Sequence, residues 1–246
     1  MKSVRWQLFL GIILIVFSIV IYIIHYAIFR DINHIFKFMI GDIAFVPIEV
    51  FLVTLIIHRL LSYREKKSRL TKLYMVTRVF FSEVGTNLLT YLLELDDNSD
   101  IVIEHLSGVK TWKEKDFKDK SKEFEDYKPD FKIKPKDFED LRDFLLEERK
   151  FLLRLLQNPN ILEHEMFTDL LWAVYHLIEE LEKREDFKKI PETDYKHLIK
   201  DVVRAYNVLI YEWMACMNHL RINYPYLFSI AMRTNPFDLE ATSIVS

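Results

Sequence analysis

Two long apolar stretches dominate the first quarter of the chain. No Asp, Glu, Lys or Arg occurs from Trp6 to Phe29, and from Phe38 to Ile57 the only charged residues are Asp42 and Glu49. About 20 apolar residues cross a bilayer core at about 1.5 Å per helical residue, so the pattern predicts spanning helices over about 6–29 and 38–57. A secretory signal has an apolar core of only about 7 to 15 residues followed by a small-residue cleavage site. The first stretch is longer, lacks that site and leads into a second apolar run, which predicts a retained anchor.

The segment between the spans, Arg30 to Lys37, is short, so the two helices are expected to form an antiparallel hairpin. Lys2 and Arg5 precede it, and Arg59, Arg64, Lys66, Lys67, Arg69 and Lys72 follow it. The excess of basic residues on cytoplasmic flanks of spanning helices then predicts a multi-pass protein of the cell (inner) membrane with both termini cytoplasmic. The basic cluster after the second span also suits anchoring to anionic headgroups, at about 1 kcal/mol per Lys or Arg near the surface.

Beyond the hairpin the apolar residues become periodic. Leu70, Leu73, Thr77, Phe80, Val84, Leu88 and Leu92 recur at three- and four-residue steps, an amphipathic extension of the second span over 64–95. The run Asp96-Asp97-Asn98-Ser99-Asp100 reads as a helix stop, and Lys, Asp and Glu dominate the following residues, so 96–137 is expected to be a charged linker with at most short helices. Residues 138–246 then form a helical cytoplasmic domain with a C-terminal tail. Its first stripe is Phe138, Leu141, Leu145, Leu152 and Leu155, stopped by Asn158-Pro159. A second runs from about Ile161 to Arg184 with Phe167, Leu170, Leu171, Val174, Leu177, Ile178 and Leu181 on one face. The third starts near Thr193 as N-cap and carries Leu198, Val202, Tyr206, Leu209, Trp213, Met217 and Leu220 before Pro225. The fold class expected is all-α: a transmembrane hairpin, residues 1–63, plus a cytoplasmic four-helix arrangement.

Composition supports this. Four glycines in 246 residues are too few for the turns of a sandwich, a barrel or a phosphate-binding sheet. One cysteine, Cys216, permits no internal disulfide, and no Asn-x-Ser/Thr acceptor occurs. Residues 1–67 carry eight Lys/Arg against four Asp/Glu, and the remainder carries 26 against 33. The basic part is the membrane part, which argues against nucleic acid as partner.

Chemistry-bearing residues fall into three groups. An ionised carboxylate inside a bilayer costs at least a few kcal/mol and is normally kept with a partner, a cavity or a proton. A symmetric hairpin places residues whose numbers sum to about 67 at equal depth, which pairs His25 with Asp42 and Ser18 with Glu49. Pro47 frees one backbone carbonyl between the two acids. Asp42, Pro47, Glu49, His25 and Ser18 therefore form a membrane polar site, read either as helix–helix hydrogen bonding or as acidic rings of an oligomeric cation pathway.

In the cytoplasmic part Asp169, His176 and Glu180 share one helical stripe at steps of seven and four. They are weak metal candidates, because a bundle metal site of the recognised kind needs paired Glu-x-x-His motifs, and none occurs. A polar helix face is the favoured reading there, as it is for His197 and His219. Cys216, between Ala215 and Met217, reads as a buried inert thiol. No catalytic residue and no cofactor is assigned. Arg233, Asn235, Pro236 and Phe237, with the aromatics Tyr224, Tyr226 and Phe228, read as a tail that docks on its own bundle or on another chain.

Those tail residues, the segment Leu162-Glu163-His164-Glu165-Met166-Phe167-Thr168-Asp169-Leu170-Leu171-Trp172-Ala173-Val174 and the membrane segment Gly41-Asp42-Ile43-Ala44-Phe45-Val46-Pro47-Ile48-Glu49-Val50 resemble a group of prokaryotic hypothetical membrane proteins. Its members have two N-terminal transmembrane helices and a C-terminal cytoplasmic helical domain. The resemblance implies that architecture and a bacterial or archaeal origin, and carries over no catalytic residue. The function expected is a non-enzymatic scaffold or signalling module that meets the lipid bilayer, a second copy of itself and a cytoplasmic protein partner. An oligomeric cation pathway through Asp42 and Glu49 is the alternative, and a metal-dependent enzyme in the helical domain comes third.

Overall fold

A computed structural model describes residues 2–124, 127–162, 164–238 and 241–242, without the side chains of residues 2–5, 160 and 162. The side chains of Lys2 and Arg5, which enter the charge bias, and all of Glu163 and the last four tail residues lie outside the described residues. The chain divides into two compact units, Met1–Lys66 and Lys67–Ser246. Every named element is helical, and the described residues contain no strand, only an isolated antiparallel bridge between Asp96 and Phe131.

The first unit consists of α1, Lys2–Phe29, and the beginning of α2, Ile32–Phe80. Only Arg30 and Asp31 separate them, fewer residues than the expected loop. Arg30 takes a positive φ of 49° and its N–H donates to the Tyr26 carbonyl at 2.8 Å, closing α1 with a left-handed residue. The Asp31 Oδ1 accepts the N–H of His34 at 3.1 Å and so caps α2 six residues before the expected span begins. Residues at equal depth therefore sum to about 61, not 67. His25 and Asp42, like Ser18 and Glu49, are offset along the helices by about 9 Å as a result, at about 1.5 Å per residue. Pro47 lies inside α2. In the most apolar window of each helix, no residue is buried.

The second unit has a conventional water-excluding core. After α2, a five-residue π turn, Phe81–Gly85, leads into α3, Thr86–Leu95. A Cβ on Gly85 would lie 2.6 Å from the Phe80 ring and 2.7 Å from the Phe81 ring, so these two buried aromatics need a residue without a side chain there. The expected stripe is buried at Leu73, Thr77, Phe80, Val84, Leu88 and Leu92, while Leu70 is half-buried.

Residues 96–137 differ from the linker expected of them. They form α4, Ser99–Leu106, a 3-10 turn, Ser107–Thr111, and α5, Glu114–Glu123. Val102, Leu106, Val109, Phe117, Phe131 and Ile133 are all buried in the common core. The helix stop at Asp96 is also an anchor: its carboxylate accepts the N–H of Asn98 at 3.1 Å, the N–H of Asp130 at 2.8 Å and the Tyr127 hydroxyl. The physical reason is that one apolar residue per turn suffices to dock a short helix on a core that other elements supply.

The three later stripes pack together. They lie on α6, Pro135–Leu156, α8, Glu165–Glu182, and α9, Glu192–Asn223, with a single-turn α7, Pro159–Leu162, before α8. Each apolar residue named for these stripes is buried. α8 packs against both α6 and α9, and α3 packs on α9. Thr193 falls inside the first turn of α9, because Pro191 takes the N-cap position. Pro225, expected as an interruption, opens α10, Pro225–Arg233, since its missing N–H costs nothing in a first turn.

Candidate functional site

Asp42 and His25 line one cleft of about 300 Å³ in the hairpin, together with Tyr22, His34 and Phe38. The His25 and His34 rings stack with centroids 5.8 Å apart, and His25 Nδ1 is shielded from solvent without a hydrogen-bond partner. Glu49 and Ser18 are exposed and do not line this cleft. The five-residue polar set thus resolves into a group near the turn and a separate Glu49 further along α2. Asp42 and Glu49 make no hydrogen bond or ion pair among the described residues.

In the second unit a denser polar group lies where α8 meets α9. Four-residue spacing puts His176 and Glu180 on one face of α8 and His197 and Asp201 on one face of α9. The His176 and His197 Nε2 atoms stand 3.7 and 3.4 Å from the same Asp201 Oδ2, and His197 Nε2 is 3.7 Å from Glu180 Oε2. Donor atoms of His176, Glu180 and His197 all lie within 4.8 Å of one another. Arg184 closes one side: its Nη1 donates to Glu180 Oε2 at 2.9 Å, and its Nη2 and Nε grip Asp194 at 2.5 and 2.8 Å. The Arg184 hydrogen bond holds the Glu180 carboxyl below its ordinary pKa, against the opposing effect of burial.

Of the three residues read from the stripe on α8, the structure brings His176 and Glu180 together and leaves Asp169 exposed, two turns away. His197 and Asp201 take part instead. Their signal was present as a His-x-x-x-acid pair in each of two consecutive long helices, a spacing that a search for Glu-x-x-His passes over.

The tail residues Asn235 and Phe237 are buried in their own unit. Asn235 Oδ1 accepts the Phe237 N–H at 3.1 Å, and the Phe237 ring meets Trp213 edge-on with centroids 4.9 Å apart. Arg233 and Pro236 are half-buried. Of the interaction tail, therefore, the aromatic is part of the core. Cys216 is fully buried, and burial with the nearby Glu212 pushes its thiol up to about 12. Glu212 is itself only 4% exposed, and burial pushes its carboxyl up to about 7.

Comparison with known proteins matches both parts of the chain. A family model described as MJ1433, N-terminal helical domain, matches residues 1–61, and one described as Uncharacterized protein MJ1433, C-terminal helical domain, matches residues 69–233. The chain is 43% identical over 244 residues to the protein named Uncharacterized protein MJ1433 of Methanocaldococcus jannaschii, covering 99% of this chain and 98% of that one. No solved structure matches.

Proposed function

Because this chain belongs to the MJ1433 family, with an N-terminal and a C-terminal helical domain, we propose that it is a membrane-anchored interaction protein. The hairpin inserts in the cell membrane, and the C-terminal helical domain works on the cytoplasmic face as a scaffold or signalling module. The observation that carries this reading is that the most apolar windows of α1 and α2 contain no buried residue. Side chains such as Leu8, Ile15, Phe17, Ile40 and Phe51 are more than 60% exposed. A fully buried Leu, Ile or Phe side chain gains about 1.5–3 kcal/mol by leaving water, so so many left out require an apolar medium. A helix apolar all round is what a bilayer selects.

Assembly into an oligomer through the hairpin is part of the same proposal. Asp42 and Glu49 lack a partner among the described residues, and a second hairpin supplies one through helix–helix hydrogen bonds. A cation pathway is the second reading, favoured by the clustering of Asp42, His25 and His34 on one cleft. Orientation is tested by a reporter fused after residue 246: activity of a cytosol-dependent reporter, and silence of one that requires export, is the expected result. The reverse pattern overturns the proposed topology.

A further inference from the structure

We propose that His176, Glu180, His197 and Asp201 form a binding site for a divalent transition-metal ion of the zinc class, clamping α8 to α9. The site goes beyond the anchoring role and does not depend on it. Two helices each contribute one imidazole and one carboxylate at four-residue spacing: donor atoms of His176, Glu180 and His197 lie within 4.8 Å of one another, and Asp201 Oδ2 lies 3.7 and 3.4 Å from the two imidazoles, without any loop having to fold around the ion.

The distances separate metal ligation from ordinary pairing. At 3.4–3.7 Å, the imidazole nitrogens are too far from Asp201 Oδ2 and Glu180 Oε2 for N–H···O hydrogen bonds, which run at about 2.7–3.2 Å. Neighbouring ligand atoms around a tetrahedral zinc, with bonds of about 2.0–2.2 Å, stand about 3.3–3.6 Å apart. The three imidazole–carboxylate separations come close to that spacing. Asp201 Oδ2 adds a second observation: it is shielded from solvent and accepts no hydrogen bond, although it faces both imidazoles. A buried carboxylate oxygen in that condition is costly unless something cationic completes it.

Charge and donor type select the ion. Asp194 matches Arg184, which leaves the charges of Glu180 and Asp201 to balance a divalent cation. Two imidazoles disfavour calcium and magnesium, a donor set without thiolate disfavours copper(I), and copper(II) and nickel(II) prefer square-planar or tetragonal sites, so zinc, cobalt(II) and iron(II) remain as the class. Arg184 takes the outer role: by holding Glu180 Oε2 and the Glu180 backbone carbonyl it fixes the rotamer that aims the carboxylate at the cluster.

The test uses the full chain, purified in detergent without a polyhistidine tag and stripped with a chelator. Equilibrium dialysis against cobalt(II) chloride is expected to leave one ion per chain, with the visible absorption of a low-coordinate cobalt centre that zinc chloride then displaces. Zinc should also raise the thermal unfolding midpoint of the helical domain, and the chelator should lower it. Asp201→Asn and His197→Gln should each weaken binding by more than the about 10- to 100-fold that loss of an outer partner costs. The exposed Asp169→Asn should bind as the parent chain does. Helicity by circular dichroism distinguishes a lost ligand from a lost fold, and Glu180→Gln serves if either variant unfolds. Failure of the parent chain to retain cobalt overturns the proposal. So does retention unaffected by His197→Gln and Asp201→Asn, which would place the ion elsewhere.

Discussion

Leu14 and Leu88 are the same side chain in the same kind of element, yet Leu14 is 59% exposed and Leu88 is completely buried. The contrast runs through the two units. In Lys67–Ser246 the apolar residues sit on stripes, and stripes from neighbouring helices cover one another. In Met1–Lys66 they surround each helix, and two helices cannot cover a surface that faces every direction. The second unit makes its own apolar interior, and the first, on the proposed reading, finds its apolar surroundings in the bilayer. The same distinction sorts the polar residues. Several of those in the second unit find partners far along the chain, as Asp96 does with Asp130 and Arg184 with Asp194, whereas Asp42 and Glu49 have none among the described residues.

The sharpest way to break this comparison is to cut a large apolar side chain back to Ala on each side. Trp213→Ala removes a ring that is 2% exposed and packed edge-on against Phe237, and should lower the stability of the helical domain by about 3–5 kcal/mol in chemical unfolding. Leu14→Ala should leave that unfolding curve unchanged. A near-neutral Trp213→Ala would mean that this face of α9 is not core.

Next in size is a pH effect confined to the second unit. Burial raises the Glu212 carboxyl from 4.5 to about 7. Below pH 4.5 the group is protonated in both folded and unfolded chains, and the domain carries no penalty from it. As pH rises from 4.5 through 7 the unfolded chain releases its proton first, so stability falls, levelling off above 7 after a loss of about 3 kcal/mol. Glu212→Gln should remove that slope and leave the variant more stable than the parent at pH 8. A parent chain whose stability is flat across this range would show that Glu212 finds compensation on ionising.

The smallest expected effect lies in the hairpin. Replacing Asp42 by Asn and Glu49 by Gln keeps hydrogen-bonding shape, and such contacts in membranes are worth only about 0.6–2 kcal/mol, so an oligomer in detergent should survive nearly unchanged. If the acids instead attract cations along a water-filled path, the double variant assembles but loses cation flux in liposomes. A parent oligomer that passes no cation at any voltage ends the pathway reading and leaves the scaffold.

Much of this division was legible in the order of residues. Stripes on α6, α8 and α9 were readable because each repeats its apolar residues over at least four turns, long enough for periodicity to outweigh chance. The docking of 96–137 was not, because its apolar residues Val102, Leu106, Val109 and Phe117 fall on elements of one to three turns, too short for a periodic stripe, and signal burial only once a core exists to receive them. The turn of the hairpin was misjudged for a local reason. Asp31 caps a helix whose first residues, Ile32 to Lys37, are too polar to be read as part of a span. The histidine–carboxylate group was half legible, since one helix shows only the residues it contributes. Asp169 shares a stripe with His176 but sits about 10 Å further along the axis, at about 1.5 Å per residue. The partners came from α9 across the helix contact.

The central claim, that the first unit requires a bilayer and the second does not, is tested most directly by alkaline extraction of membranes from cells expressing the full chain. The account predicts that the protein stays in the membrane pellet at high pH and is released only by detergent, because apolar helices, unlike charge-held peripheral proteins, are not freed by loss of electrostatic contacts. Recovery of the full-length protein in the aqueous supernatant, folded and without detergent, would contradict it.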